Sequence, residues 1–139
     1  MNYRLFSKKH NLYTNSPLWP SNQRTWSEWT LTPDGQILEI IFDGTAGYNS
    51  DPIGCLYHDK RNFAVEPWTG FLDLNNKKIY LGDILEMNSM FDFKSEVAWK
   101  DGSFWLKALD SEGIDQEFKQ LYAKLWKITG NIHNVEFHN

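Results

Sequence analysis

The sequence predicts a mainly β protein whose second half forms a small, partly open barrel of the SH3-like kind with one helix. Short runs of β-forming residues alternate with turn signals, and one segment has helical periodicity. Aromatic residues make up 16% of the 139-residue chain and include seven Trp, enough to fill a small core. Core packing is the simple interpretation of these rings; a ligand or base-stacking surface is the alternative. Pro67 marks a seam, so the predicted domains are 1–66 and 67–139.

The N-terminal half is predicted to be rich in strands. Residues 3–13 are typical of two short strands joined by a turn, and residues 15–24, with two prolines, of a loop. Residues 26–42 are predicted to form a hairpin around a Pro-Asp-Gly turn, because Pro fixes φ and Gly permits positive φ. Residues 43–54 are predicted to form a long loop, and residues 55–65 a second hairpin-like pair of strands.

The C-terminal half carries sharper turn signals. An Asn-Asn-Lys-Lys turn follows residues 69–73, and Gly82 separates the strands on either side of it. Residues 95–109 contain Lys-Asp-Gly between alternating strands, one of the best short-range hairpin signals. A last strand ending at Ile132 would close the sheet.

One helix is predicted after this hairpin. Four apolar residues have the i, i+3, i+4, i+7 spacing of a single buried stripe: Phe118, Leu121, Tyr122 and Leu125. Asp115 is the predicted N-cap and Glu117 adds negative charge to the first turn. Lys124 and Lys127 lie near the other end, where cations complement the helix dipole.

Charge and composition narrow the function classes. The net charge is −4, and neither half has a cationic excess, so nucleic acid is an unlikely partner despite a possible basic patch at Arg4, Lys8 and Lys9. The single cysteine, Cys55, excludes an intrachain disulfide and a thiolate metal cluster within one chain. No apolar run is long enough to span a membrane, and the N-terminus lacks a signal core, which favours the cytoplasm.

No catalytic motif is present, so the prediction is a non-enzymatic protein without cofactor or metal. His58, Asp59, Asp83 and His133 could in principle form a metal site or an acid–base pair, but their spacing matches no known ligand pattern. A surface or turn role is therefore predicted for His58 and Asp59, and a buried thiol for Cys55. Asp83 is predicted to accept backbone N–H bonds in a turn.

Three blocks of the chain resemble the YopX family of phage and prophage proteins. They are the unbroken stretch 68–84, which includes Trp68-Thr69-Gly70 and Tyr80-Leu81-Gly82-Asp83, then Glu96-Val97-Ala98-Trp99 followed by Gly102-Ser103-Phe104, and then Ile128-Thr129-Gly130-Asn131-Ile132-His133-Asn134; residues 3–13 match more loosely. The family usually has Gly at Asn76, Glu at Leu81, and Tyr or Phe at Trp68, and the missing Glu argues against a catalytic site. The resemblance implies an SH3-like C-terminal barrel and an α+β N-terminal lobe, so the predicted class is α+β, mainly β. It supplies no biochemical role.

Eight residues of these blocks are predicted to serve the fold: Trp68, Thr69, Gly70, Tyr80, Gly82, Asp83, Gly130 and Asn131. The predicted function is a protein-interaction or self-assembling accessory module of a phage or prophage, acting in the host bacterial cytoplasm. The alternative is a nucleic-acid-associated module, either a single-strand binder or a small nuclease. A structure with Trp99, Trp105 and Trp126 all buried would contradict that alternative.

Overall fold

Strands account for nearly all secondary structure in the computed structural model, which describes residues 2–20, 25–44, 52–87, 93–110 and 113–137. Within these residues there are twelve strands, one α-helix and one 3-10 helix. The strands are β1 (Tyr3–Ser7), β2 (Leu12–Tyr13), β3 (Thr25–Leu31), β4 (Ile37–Asp43), β5 (Pro52–His58), β6 (Phe63–Leu72), β7 (Lys78–Tyr80), β8 (Asp83–Met87), β9 (Lys94–Lys100), β10 (Ser103–Ala108), β11 (Gln116–Glu117) and β12 (Trp126–Asn131). The α-helix, α1, is Gln120–Ala123, and the 3-10 helix is Lys60–Asn62.

The predicted α+β class is therefore wrong, and so is the prediction of a barrel carrying a full helix. The described part of the N-terminal half holds strands and one three-residue 3-10 helix, and α1 has only four residues. A helix of four residues has little stability of its own, so it depends on packing against the neighbouring sheet.

The predicted helical stripe is not a buried face. Phe118 is buried, but Leu121 is 81% exposed, and Leu125 is also exposed. Asp115 does not cap the helix; its Oδ1 accepts the backbone N–H of Ala108 at 2.9 Å. Ala123 is the helical residue that enters the core. The four apolar residues have helical spacing in the sequence, but only Gln120–Ala123 between β11 and β12 is helical, so the four side chains do not form one buried face.

The chain divides into two compact units. Unit 1 comprises Met1–Leu5 and Val65–Asn139, and unit 2 comprises Phe6–Ala64. The chain passes from one unit to the other within β1 and within β6. The division into domains 1–66 and 67–139 stays a prediction.

Unit 2 contains two of the predicted strand pairs. β1 and β2 are antiparallel, with Phe6 opposite Tyr13. The β3–β4 hairpin is confirmed, with Leu31 opposite Ile37 across the Pro-Asp-Gly turn. The centre of this unit is aromatic: the ring of Trp29 lies 5.1 Å from that of Trp19.

The second predicted hairpin, at 55–65, is wrong. β5 pairs with β4 instead, with His58 opposite Ile37, which gives a three-stranded sheet in the order β3-β4-β5. The 3-10 helix then leads into β6, which belongs to another sheet. Asp59 starts this helix, because its side chain accepts the N–H of Arg61. Of the predicted loop 43–54, residues 45–51 lie outside the described residues, and 52–54 belong to β5.

Unit 1 is built on a five-stranded antiparallel sheet in the order β11-β10-β9-β8-β12. The β9–β10 hairpin is confirmed, and Asp101 and Gly102 both take positive φ in its turn. The sheet covers an apolar cluster formed by Ile79, Leu85, Val97, Leu106, Phe118, Ala123 and Trp126. Neither helical segment in the described part of the chain has the length and apolar character needed to cross a bilayer.

A buried carboxylate organises the turn between β6 and β7. Asp73 is fully buried, and its Oδ1 accepts the N–H groups of Asn75 at 2.8 Å and Lys77 at 2.9 Å. Its Oδ2 accepts the N–H of Ile128 in β12 at 3.1 Å. Asn76 takes the positive φ of 61° that the Asn-Asn turn signal predicted. Asp73 therefore ties the β6–β7 turn to the last strand of the sheet.

Candidate functional site

Unit 1 contains a buried cluster of charges around Arg4. The Arg4 Nε donates to Glu66 Oε1 at 2.7 Å, and its Nη1 lies 2.7 Å from Asp83 Oδ1. On its far side, Glu66 Oε2 lies 2.6 Å from His133 Nε2. The side chains of Arg4, Glu66 and Asp83 are each no more than 4% exposed. These four residues are called the Arg4 cluster below.

Four separate parts of unit 1 bring the Arg4 cluster together. Arg4 comes from β1, Glu66 from β6, Asp83 from the start of β8, and His133 from the turn after β12. Gly82 makes this approach possible: its φ is +89°, and a Cβ there would lie 3.0 Å from Glu66 Oε2. The sequence signal at Gly82 thus marks both a turn and a close approach.

Backbone and rings complete the surroundings of the cluster. Asp83 Oδ2 accepts the N–H of Tyr80 at 2.8 Å. The Arg4 guanidinium carbon lies 4.9 Å from the centre of the Tyr80 ring and 4.8 Å from that of Phe137. Both distances are within the range of a cation–π contact. A hollow of about 400 Å³ adjoins the cluster and is lined in part by Arg4, Asp83, Asn131 and Phe137.

Two carboxylates of the cluster share one guanidinium. Burial raises the pKa of Asp83 from 3.8 to about 6, and the neighbouring Glu66 carboxylate adds to the rise. The Arg4 charge and the Tyr80 N–H oppose it without overcoming it. Chemically, the arrangement can hold strands together and can take up a proton near neutral pH.

We expect Asp83 to make the free energy of unfolding larger as the pH falls, the reverse of the usual trend for a carboxylate. Because its pKa is higher in the folded state than in the unfolded state, the folded protein binds this proton first as the pH falls. The contribution should therefore increase stability from about pH 7 to about pH 4, by at most about 3 kcal/mol. Urea unfolding of the wild type and of Asp83→Asn at each pH isolates this contribution as the difference between the two proteins.

An ordinary ion-paired carboxylate would show the opposite trend, since it loses stability as the pH falls through its folded-state pKa. A difference that is flat, or that decreases towards acid pH, would contradict the assignment. Asp110→Asn is a control, because that carboxylate is exposed.

The first family block forms a hydrogen-bonded irregularity within β6, where the register on β7 shifts between Trp68 and Leu72. The Thr69 hydroxyl donates to the Ile79 carbonyl at 2.8 Å and accepts the N–H of Phe71 at 3.1 Å. Trp68 Nε1 donates to the Phe71 carbonyl, and Gly70 has a φ of +89°. Each of these polar groups is engaged with the backbone of unit 1.

The last family block shapes the turn that carries His133. A bulge between Ile128 and Gly130 shifts the register of β12 on β8. Asn131 Oδ1 accepts the N–H of His133 at 3.1 Å, and its Nδ2 donates to the Val135 carbonyl at 2.7 Å. Asn131 therefore holds the segment that places His133 against Glu66.

Of the Arg4 cluster, sequence reasoning placed Asp83 and His133 among the candidates for a site, and it missed Arg4 and Glu66 as their partners. Arg4 was grouped with Lys8 and Lys9 in a possible basic patch, but its side chain is buried and ion-paired. An arginine inside an otherwise apolar β-strand run is the signal that could have identified it. Glu66 carries no such signal beside the seam at Pro67.

The other candidates have different surroundings. His58 Nε2 lies 2.9 Å from Glu39 Oε1 in unit 2. Asp59 pairs on the surface with Arg61, whose side-chain hydrogen bonds lower the Asp59 pKa to about 2. Cys55 is exposed, so the predicted buried thiol is wrong. Within the described residues, no group of three or more His, Cys, Asp or Glu could hold a metal ion.

The second candidate site is the β5 edge of the sheet in unit 2. Among the described strands, β4 is the only partner of β5. The seven residues from Pro52 to His58 include no Asp, Glu, Lys or Arg. Ile53, Leu56 and Tyr57 are 62%, 51% and 66% exposed. A long, apolar, exposed edge is uncommon in proteins that do not pair it, because it invites another strand.

One face of the same sheet is apolar over β4 and β5, while its β3 part also carries Glu28 and Thr30. The register places Leu38 beside Tyr57, Ile40 beside Cys55, and Phe42 beside Trp26, so these six side chains share a face. The rings of Trp26 and Phe42 stack at 4.1 Å. None of the six is fully buried. This set is called the outer face below, and it is continuous with the β5 edge.

A family model and a solved structure both carry the name YopX. The YopX protein family model matches residues 2–135. The structure is similar to the crystal structure of protein YopX from Bacillus subtilis, with a TM-score of 0.53, 16% identity, and coverage of 98% of this chain and 100% of that one. It is also similar to protein EF1440 from Enterococcus faecalis, with a TM-score of 0.55, 21% identity, and coverage of 96% and 93%. At these identities the likeness concerns the fold. No curated protein matches the chain.

Proposed function

The chain belongs to the YopX family, and from the β5 edge of its three-stranded sheet we propose that it is a non-enzymatic, self-assembling interaction module. Its proposed setting is that of a phage or prophage accessory protein, which the sequence resemblance to the family supports. The observation that carries the proposal is the seven-residue edge strand without Asp, Glu, Lys or Arg, flanked by an apolar outer face.

Natural sheets usually protect such edges with charges, especially Lys, or by keeping the strand short. β5 has neither; a proline and a bulge interrupt it only at its Pro52 end, and its exposed side chains are large and apolar. Contiguous exposed apolar surface of this kind is typical of protein–protein contact sites. An edge strand binds its partner through main-chain hydrogen bonds, while side-chain contacts give specificity.

The Arg4 cluster supports the non-enzymatic part of the proposal. Its carboxylates are occupied by Arg4, by His133 and by the Tyr80 N–H. Three of its four side chains are almost completely buried. A cluster of this kind holds strands in place, and a substrate would have to break its ion pairs to reach it.

We expect the wild-type protein to self-associate and the Leu56→Lys variant to be more dissociated. Leu56 is exposed, so the charge should leave folding intact, whereas a lysine on an edge strand opposes pairing. Sedimentation velocity over a wide range of protein concentration measures the shift, since association depends on concentration.

The matched control is Leu18→Lys, which adds the same charge at an exposed leucine of unit 2 outside its strands. It should sediment like the wild type. A wild type that is monomeric at every concentration would refute self-assembly, and equal dissociation of both variants would refute the role of β5.

A nucleic-acid-associated module is the second candidate. Trp126 is buried, but Trp99 is 57% exposed, and an exposed ring could stack on a base. The net charge of −4 counts against it. Adding a single-stranded oligonucleotide to the sedimentation samples at low salt separates the two: co-sedimentation that disappears at high salt would favour this candidate.

A further inference from the structure

We infer that β5 pairs antiparallel with β5 of a second copy of the chain, about a two-fold axis at Cys55, and so joins two three-stranded sheets into one of six strands. The inference rests on the proposed self-assembly and specifies its partner and register. A symmetric contact of this kind uses the same surface on both copies.

The choice of β5 follows from comparing the two edges of the sheet. The other edge, β3, runs from Thr25 to Leu31, and its central residue is the exposed Glu28. Self-pairing about that centre would place two Glu28 carboxylates opposite each other, which destabilises a strand pair. The central residue of β5 is the exposed, uncharged Cys55.

The side chains of β5 are complementary to themselves in this register. With Cys55 opposite Cys55, Ile53 meets Tyr57 of the second copy, a β-branched residue against an aromatic ring, which is a favourable cross-strand pair. Gly54 meets Leu56, and a Cβ at Gly54 would have no heavy atom within 4 Å, so there is room for the leucine. Pro52, which has no N–H, falls at the strand end, where proline is tolerated.

The pairing also extends the apolar surface. A two-fold axis perpendicular to the sheet keeps both outer faces on the same side, with the Cys55 and Tyr57 side chains of each copy at the junction. The six-stranded sheet would then present one continuous apolar face instead of two small ones. The paired β5 strands and the two adjoining outer faces would thus belong to one interface between the copies.

Cys55 gives a direct test of the register. Directly opposed residues of an antiparallel pair have Cα atoms roughly 4.5–5.5 Å apart, which lies within the range of about 4.4–6.8 Å that a disulfide needs. A mild thiol oxidant such as diamide, which takes up two electrons and two protons from two thiols, should convert the wild type to a cross-linked dimer. Cys55→Ser should remain uncross-linked.

A second cross-link fixes the register independently. In a Cys55→Ser background, chains with Ile53→Cys and chains with Tyr57→Cys should cross-link when mixed, while each alone should not. All three positions are exposed, so these variants should fold. Leu18→Cys in the same background controls for random collision.

The outcomes separate this inference from the proposed function. Cross-linking at Cys55 together with the mixed 53–57 cross-link supports both. A protein that self-associates without these cross-links overturns the β5 pairing and leaves self-assembly standing, whether the contact is through the outer faces or elsewhere. A protein that is monomeric throughout overturns both.

Discussion

Replacing Arg4 with methionine should destabilise the protein by about 3–5 kcal/mol at neutral pH. Arg4 contacts two buried carboxylates, Glu66 at 2.7 Å and Asp83 at 2.7 Å. Methionine preserves much of the side-chain volume but leaves both buried carboxylates without the guanidinium, and Glu66 keeps only its contact with His133. Urea unfolding followed by Trp fluorescence gives the change in the free energy of unfolding.

Two comparisons show whether the loss comes from buried charge. Arg61→Met removes an exposed ion pair with Asp59 and should leave the free energy of unfolding unchanged within error. The Arg4→Met defect should also shrink in mild acid, because Asp83 already has its pKa raised to about 6 and can then become neutral. A defect that is the same at neutral and acid pH would mean that Arg4 acts through packing alone.

Replacing Asp73 with alanine should cost about 3–5 kcal/mol, because three backbone N–H groups lose a charged acceptor and a hydrogen bond to a charged group contributes about 1.5–3 kcal/mol. Those donors belong to Asn75, Lys77 and Ile128. The last one lies in β12, so the substitution should loosen the final strand as well as the turn. Hydrogen exchange at the Ile128 amide should accelerate in parallel with the loss of stability.

Asp73→Asn should have an intermediate effect. Its amide oxygen can still accept from Asn75 and Lys77, but its NH₂ group cannot accept from Ile128. Asp110→Ala, at an exposed carboxylate, is the control and should leave stability nearly unchanged. If the asparagine variant were as unstable as the alanine variant, the negative charge and not the hydrogen bonds would be the stabilising element.

Local signals predicted much of the fold, because turn chemistry acts over a few residues. The positive φ at Asn76 and Gly82 and the Asp-Gly hairpin at 101–102 all lie where the sequence places them. The helix prediction was wrong, because spacing alone cannot tell whether Leu121 and Leu125 meet a core, and here both are exposed. The strand partner of β5 depended on competition between β4 and β6, which a local pattern does not settle.

The candidate sites differ in how far the sequence could reveal them. Arg4 and Glu66 are 62 residues apart in the sequence, and Glu66 and His133 are 67 apart. Only the folded sheets bring them together, so no spacing rule could have joined them. The β5 edge was missed in another way: the sequence pattern predicts a loop at 52–54 and a hairpin at 55–65, and the position of β5 at the edge of a sheet required the strand order.

The chain passes between its two units twice, in β1 and in β6, and this affects the order in which contacts can form during synthesis. Unit 2 is one continuous stretch, so its contacts can all form once Ala64 has left the ribosome. Unit 1 needs two segments that are far apart in the chain, because Arg4 must contact Glu66 and Asp83, and Glu66 must contact His133. Arg4 is therefore made well before its native partners, and until they follow, its charge stays hydrated.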